Sequence, residues 1–523
     1  MSGDDHTTTG PLVSVLVTTF NRRRCLREAL AGLLGQTYGR FEAIVVNDGG
    51  EPVADVVDHF ADPRLTLIER REKRGKAASL NEALARASGA YVAYLDDDDR
   101  YYPHHLARLV ETLEGDTDCG AAYSDLYTVH CRILADGRRQ VRGKVVSVSR
   151  DFDRFFLCCS GHALHMSLMH RRDLLQRTGP YNQRLSVLID WDMVRRLAFY
   201  TDLEHVRDVT GECYAPAGDP DRISPAGRLD RQALLAETRL IRTTRPPKPW
   251  PRMPDLSVIA LPDRIDDLAA DMIRRLYAVT FMPFEVYLPA APSDVARLGI
   301  DMPNLVAVPA AGGVSVEARV DAALDRLGGD YVAVVPQGVP MTFLWVEDAL
   351  HAAVGDPTGR TAFTLTGHSE VRPAFVVGAG QLRRARAGRG ERRLLDSLRG
   401  VGAEVREPRP GEWALGFERV FQAAESLEEE GNWVQAAAFY NQIHPRFGNT
   451  RWMRERAAAA LYRAGGRDDE ALDIVGDLNR SRPTVSTLIL EARLHRRCDR
   501  LNDAVGLLER ARSILNAEGL PCN

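Results

Sequence analysis

Four consecutive aspartates, Asp96–Asp99, close the apolar run Ala90–Leu95. Adjacent like charges repel, so a fold gains nothing from four of them unless a cation or bulk water faces them. Carboxylates at the end of a strand that open into a cleft make a place for a hard divalent ion, and such an ion can hold a diphosphate. An acidic loop in water is the other reading of the same residues.

The elements around them favour a cleft. Val13–Thr18, Phe41–Val46, Leu65–Ile68 and Ala90–Leu95 are short β-branched runs that read as buried strands. Helices are expected over Arg23–Leu34, Val53–Phe60 and Ala77–Ala87. Alternating strands and helices predict an α/β domain with a parallel sheet covered on both faces. Ligands of such sheets sit beyond the carboxyl ends of the strands. Thr18–Asn21, Asn47–Gly50 and Asp96–Asp99 all fall at such ends.

With 523 residues the chain is expected to hold about two to four domains. Its formal charge of −4 and the absence of a basic excess exclude a nucleic-acid groove as the main function. Eight cysteines lie scattered without metal spacing, which predicts reduced thiols and a cytoplasmic setting. No run approaches 18 apolar residues, so no membrane span is expected. Residues 1–10 are polar and read as a disordered tail.

Several marks agree in order. They are Thr18-Thr19-Phe20-Asn21-Arg22, Gln36-Thr37-Tyr38, Val46-Asn47-Asp48-Gly49-Gly50, Gly75-Lys76 with Asn81–Leu84, and Gly89–Asp99 with Pro103. Together they resemble a family 2 glycosyltransferase of the GT-A (Rossmann-like) fold, over about residues 11–220. The resemblance implies a nucleotide-sugar donor, with a UDP-sugar as the first expectation, a divalent metal (Mn²⁺ or Mg²⁺) and inversion at the anomeric carbon.

It also implies roles. Asp48 would accept from the uracil or ribose, although Asn-Asp-Gly-Gly is also a good turn. Thr18, Phe20 and Asn21 would line the base pocket, or only cap a helix. Asp96 and Asp98 form a D-x-D pair, which alternation along a strand would point the same way. Asp98 would be the direct metal ligand, with Asp96 or Asp97 facing the ribose and the metal's surroundings, and Asp99 either in the cluster or capping the next segment. Arg74 and Lys76 would meet phosphate or pyrimidine, or remain solvated. The stretch Leu188–Leu197 resembles the family's acidic motif before a helix, with Ile189 where a Glu is common. Asp190 would be the base for the acceptor hydroxyl, with Asp192 as runner-up. Both also suit a helix start. His162 and His165 are expected on a strand near the acceptor side, and Ala215–Ser224 as a lid lacking the family's histidine.

The rest of the chain divides at the proline-rich Arg245–Pro254, read as a stiff linker over 245–254 between a catalytic domain at 11–244 and a second domain at 255–412. That second domain looks like a worn copy of the first. Leu256–Ile259 matches Val13–Leu16, and Phe284–Tyr287 matches Phe41–Ile44. Asp48 becomes Ala291 in this alignment, and Asp96–Asp99 become Pro336–Val339, so the copy is a degenerate GT-A-like domain without cation-holding carboxylates. Structural support, acceptor binding and contact in a homo-oligomer are its open roles. Residues 413–523 are helical, with Ala436, Ala471 and Ala504 recurring near the ~34-residue period of tetratricopeptide repeats. Such repeats suggest a peptide or protein acceptor; a surface polysaccharide or small glycoconjugate is the alternative. A nucleotidyltransferase would place a glycine-rich phosphate loop after the first strand, where this chain has Thr18–Arg22. A non-catalytic nucleotide-binding scaffold is the third reading.

Overall fold

The computed structural model describes residues 9–517 apart from 117, 135–137, 147–148, 160, 162, 217–230, 303, 311–313, 342–343, 389, 391, 410–411, 413, 415–423, 426, 429–430 and 448–450. The chain forms two compact units: residues 1–152, 161–228 and 417–523 in one, residues 153–160 and 229–416 in the other.

The first unit is built on a nine-stranded sheet. Its strands are β1 (Val13–Thr19), β2 (Phe41–Asn47), β3 (Leu65–Glu69), β4 (Tyr91–Asp96), β5 (Arg100–Tyr101), β6 (Ala121–Ile133), β7 (Arg139–Val146), β8 (Leu168–Arg171) and β9 (Leu203–Pro216). The order is β3-β2-β1-β4-β8-β6-β9-β5, with β7 beside β6. The first four are parallel, each joined to the next through a helix that covers the sheet. Register decides what meets at their ends: Thr18 lies beside both Val46 and Asp96, and Thr19 beside Asn47.

Helix α1 (Arg23–Leu34) buries Leu26, Ala29, Leu30 and Leu33, one stripe at helical spacing. Helix α2 (Lys76–Arg86) buries Ala77–Leu80 and Ala83, and α3 (Ile189–Leu197) is buried along nearly its whole length. The helix expected over Val53–Phe60 is shorter, Ala54–Asp58, and the chain turns at Ala61 with a left-handed φ of 47°. His165 is not on a strand as expected. It lies in a 3₁₀ turn, His165–Ser167, before β8.

The described C-terminal part of this unit includes the helices α4 (Trp433–Phe447), α5 (Arg451–Ala464), α6 (Asp468–Ser481), α7 (Val485–Arg497) and α8 (Leu501–Ala517). The short connections from α5 through α8 make those neighbours antiparallel. Ala436, Ala471 and Ala504 are buried where helices meet. Just after α6, Arg482 donates to Asp125 on β6 at 3.1 Å, and the Val485 N–H donates to the Tyr127 hydroxyl at 3.4 Å.

Asp125 is 1% exposed and also accepts from Ser149 and, at 2.8 Å, pairs with His205. The other ring nitrogen of His205 lies 2.9 Å from Asp151, which Arg207 also binds, and Tyr123 stacks on the ring. Burial works against the imidazolium, but the two carboxylates raise its pKa above the ordinary 6.5. The stabilisation is therefore complete below the unfolded value and is lost as pH climbs through the raised one. The expected result is a melting temperature that falls by a few degrees between about pH 6 and about pH 8. His205→Gln flattens that slope in thermal melts; an unchanged slope would refute the assignment.

The second unit carries a seven-stranded sheet of β10 (Leu256–Leu261), β11 (Phe284–Pro289), β12 (Leu305–Val308), β13 (Tyr331–Pro336), β14 (Ala362–Thr364), β15 (Phe375–Gly378) and β16 (Val405–Arg406). Its parallel part runs β12-β11-β10-β13, the order of β3-β2-β1-β4. Leu256 pairs with Phe284 and Tyr331 as Val13 pairs with Phe41 and Tyr91. The Ser257 hydroxyl accepts from the Gly329 N–H at 3.1 Å, as that of Ser14 accepts from Gly89 at 2.8 Å.

Candidate active site

The four aspartates form a turn between β4 and β5, closed by the Asp99 N–H donating to the Asp96 carbonyl at 3.1 Å. The strand ends at Asp96, so the expected alternation of Asp96 and Asp98 along one strand face does not apply. Each carboxylate instead finds its own partner. Asp96 pairs with Lys76 at 2.5 Å, Asp98 pairs with Arg22 at 2.6 Å, and Asp97 accepts from the Thr19 hydroxyl at 2.7 Å. Asp99 accepts from the Tyr214 N–H at 2.9 Å, so its carboxylate ties the turn to β9 instead of capping the next segment.

The electrostatics arise from burial. Asp97 and Asp99 are each 5% exposed. Burial, then the charge of Asp98, pushes Asp97 up to about 7, and burial with Asp98 and Asp96 raises Asp99 well above the carboxylate range. Burial also acts on Asp96, but Lys76 outweighs it and holds this carboxyl low. For Lys76, burial opposes the charge, and Asp96 with Asp190 and Asp98 raises its pKa. The two cations thus sit on Asp96 and Asp98, while burial favours the neutral form of Asp97 and Asp99.

That donor set fits Mn²⁺ or Mg²⁺. It is all oxygen, as hard cations require. Among the described residues no three of these carboxylates bring ligand atoms within 4.8 Å of one another. Asp98 and Asp96 would then offer one or two ligands, with the other positions falling to phosphate and water, which is how Mg²⁺ is usually held.

Asp190 opens α3 after Leu188, whose φ of 55° is left-handed and costly for a leucine. The carboxylate is half-buried, accepts from the Trp191 N–H at 2.9 Å, and makes no ion pair among the described residues. Burial raises its pKa while Lys76 opposes the shift. Asp192, the runner-up, is drawn away: it is fully buried and bound twice by Arg196, at 2.9 and 2.7 Å. Arg196 also donates to the Thr178 carbonyl at 2.6 Å, so this pair fixes α3 in its packed position and leaves no face for substrate. Trp191 is 6% exposed, a core residue.

Asp48 is 4% exposed and already accepts from the Arg70 guanidinium at 3.0 Å, the Arg74 N–H at 2.9 Å and the Gly75 N–H at 2.8 Å. It braces the loop before α2. Gly49 has φ 75°, and a Cβ there would meet the Glu72 backbone at 2.4 Å, so this close approach needs glycine. The Arg74 side chain is exposed. Thr18 is half-buried beside Asp96, Phe20 carries the Lys73 ammonium 3.8 Å over its ring, and Asn21, at φ 56°, accepts from the Glu51 N–H at 2.8 Å. These three line the same strand ends as the aspartate turn.

His165 is buried, stacked on Tyr94 at 4.0 Å with Nε2 2.8 Å from the Tyr181 hydroxyl, and burial with Lys76 lowers it to about 3. It is a neutral core residue under the site. His162 and residues 217–224 of the expected lid lie outside the described residues. Motif reasoning assigned no role to Thr19, Arg22 or Arg70. The arginines come just after strand ends, where a cation can fold back onto carboxylates, and that position was the available signal.

Replacing Lys76 by Met removes the charge that opposes the upward shift of Asp190. The expected result is an acid limb of the pH–rate profile for kcat/KM displaced to higher pH; an unmoved limb would separate Lys76 from Asp190.

The sequence profile "Glycosyl transferase family 2" matches residues 14–167. The "Uncharacterized glycosyltransferase YwdF" of Bacillus subtilis (strain 168) is 26% identical over 186 residues, 36% of this chain and 68% of that protein. The "Putative glycosyltransferase EpsE" of the same organism is 34% identical over 110 residues, 20% of this chain and 39% of that one. The "Putative colanic acid biosynthesis glycosyl transferase WcaA" of Escherichia coli (strain K12) is 34% identical over 100 residues, 18% of this chain and 36% of that one. The chain thus spans well under half the length of the latter two. Among solved structures, S. aureus TarS 1-349 in complex with UDP-GlcNAc is 18% identical with a TM-score of 0.37, covering 44% of this chain and 65% of that one. A likeness of that size leaves the chemistry to this chain's own residues. Residues 14–167, an α/β sheet with the aspartate turn at the carboxyl ends of its parallel strands, match the glycosyl transferase family 2 profile, and this region is an enzyme domain of the glycosyltransferase type.

Proposed function

We propose that this protein transfers a sugar from a nucleotide-sugar, a UDP-sugar first among them, to an acceptor hydroxyl with inversion. One observation carries the reading: Lys76, Asp96, Asp98 and Asp190 gather at the carboxyl edge of the parallel strands, with Lys76 under the charge of all three carboxylates. Asp98 and Asp96 would hold Mn²⁺ or Mg²⁺, which supplies Lewis-acid neutralisation of the leaving diphosphate. Lys76 favours the ionised form of Asp190, and Asp190 takes the proton of the acceptor hydroxyl as it attacks. Thr18, Phe20, Asn21 and the loop braced by Asp48 form the nucleoside side.

A glycan or small glycoconjugate acceptor is supported by relatives whose names place them in colanic acid and teichuronic acid biosynthesis. A polypeptide acceptor is the second reading. It rests on α4–α8, where alternate helices begin at residues 433, 468 and 501, close to the ~34-residue repeat of tetratricopeptide proteins. The second unit, with the first sheet's strand order and with Ala291 and Pro336–Val339 at the equivalent strand ends, is in this reading a duplicate without a donor site. No helix among the described residues is long and apolar enough to cross a membrane.

The test is nucleotide release from a panel of UDP-, GDP- and dTDP-sugars with and without Mn²⁺. The expected result is release from one donor class, abolished by a chelator and by Asp98→Ala. Release indifferent to both would overturn the reading.

A further inference from the structure

We infer that Arg22 is a built-in counter-ion of the aspartate turn that must leave Asp98 before a divalent cation can bind there, so that cation and nucleotide diphosphate load together. This rests on the proposed function and adds to it a coupling between two ligands.

Arg22 stands at the junction of β1 and α1, and its carbonyl accepts from the Leu26 N–H at 2.9 Å, so its backbone is fixed by the first turn of a packed helix. The guanidinium is 20% exposed and lies 2.6 Å from Asp98 Oδ2 and 3.5 Å from Asp97 Oδ1. The two contacts are unequal for a reason. Asp97 is pinned by the Thr19 hydroxyl at 2.7 Å, whereas Asp98 is half-buried at the tip of the turn. The strong contact is therefore to the carboxylate best placed to ligate a cation.

A guanidinium stays charged at any working pH, so Arg22 cannot be discharged to make room. It and a divalent ion compete for one carboxylate. A lone ion must displace Arg22 from Asp98 and leave the arginine without that anion. A diphosphate arriving with the ion supplies oxygens to which the planar fork of Arg22 can turn, in the bidentate geometry arginine favours. The cost of releasing Asp98 is then met only when both ligands are present. By linkage, nucleotide tightens the ion and the ion tightens nucleotide by the same factor.

The experiment measures Mn²⁺ uptake by the full-length protein from the electron paramagnetic resonance signal of free Mn²⁺, with and without UDP, for the natural protein, Arg22→Gln and Arg22→Lys. The natural protein is expected to bind Mn²⁺ weakly alone and about tenfold or more tightly with UDP, within the usual 5–150-fold range of such couplings. Arg22→Gln is expected to bind Mn²⁺ alone at least about fivefold more tightly and to lose most of the gain from UDP. Arg22→Lys, which keeps the charge without the fork, should fall between the two and guards against a misfolded glutamine variant; circular dichroism checks all three. Equal Mn²⁺ affinity and equal UDP enhancement across the set would overturn the role of Arg22 while leaving the metal site standing. No Mn²⁺ uptake by any protein, with or without UDP, would instead remove the proposed function and this inference with it.

Discussion

Asp190→Asn is expected to leave UDP binding unchanged and to lower the transfer rate by about 10²–10⁴-fold, the usual contribution of a positioned general base. The substitution keeps size and the hydrogen bond from the Trp191 N–H but removes the proton acceptor. The carboxylate suits the task because it is half-buried, lies under the field of Lys76 and makes no ion pair among the described residues. Asp192→Asn, two residues on, separates role from location. It breaks a fully buried pair in which Arg196 donates twice to one Asp192 oxygen, so it should lower stability with a much smaller change in the rate of the folded fraction. UDP titration calorimetry and single-turnover kinetics distinguish the two. A rate in Asp190→Asn within about threefold of the natural protein would move the base elsewhere.

Arg482→Ala is expected to cost about 3 kcal/mol, at the lower end of what breaking a buried pair costs. Asp125 is 1% exposed, so its charge cannot rehydrate when Arg482 is gone. His205 and Ser149 still bind it, which keeps the loss from being larger. The damage reaches further than one contact, because Arg482 and the Val485 N–H both reach β6 from the segment joining α6 to α7. Urea denaturation should show a lower midpoint, and limited proteolysis should cut the 417–523 region first. A loss of less than about 0.5 kcal/mol would show that these helices do not depend on the pair.

Strands β1 to β4 and helices α1 and α2 were legible because short β-branched runs alternate with amphipathic stretches, and the helix boundaries hold within a residue of those expected. The aspartate turn was legible as a cluster but not as a geometry. Whether Asp98 continues the strand or turns depends on the hydrogen bond from Asp99 to Asp96, which no periodicity reveals. Asp190 and Asp192 look equivalent along the chain. They separate only when α3 packs and buries one of them against Arg196, a distinction set by helix rotation. The partners of Arg22 and Lys76, and the pair Arg482–Asp125, 357 residues apart, were beyond reach for the same reason: long side chains choose partners in space.

The brace formed by Asp48 links two parts of the site that are usually considered separately. Its carboxylate receives the N–H groups of Arg74 and Gly75, and the very next residue is Lys76. Whatever loosens that brace to suit another nucleobase also shifts the ammonium that favours the charged forms of Asp190 and Asp96. Under the proposed function, donor preference and turnover are therefore mechanically yoked, and an engineer who rewrites one at position 48 inherits a change in the other.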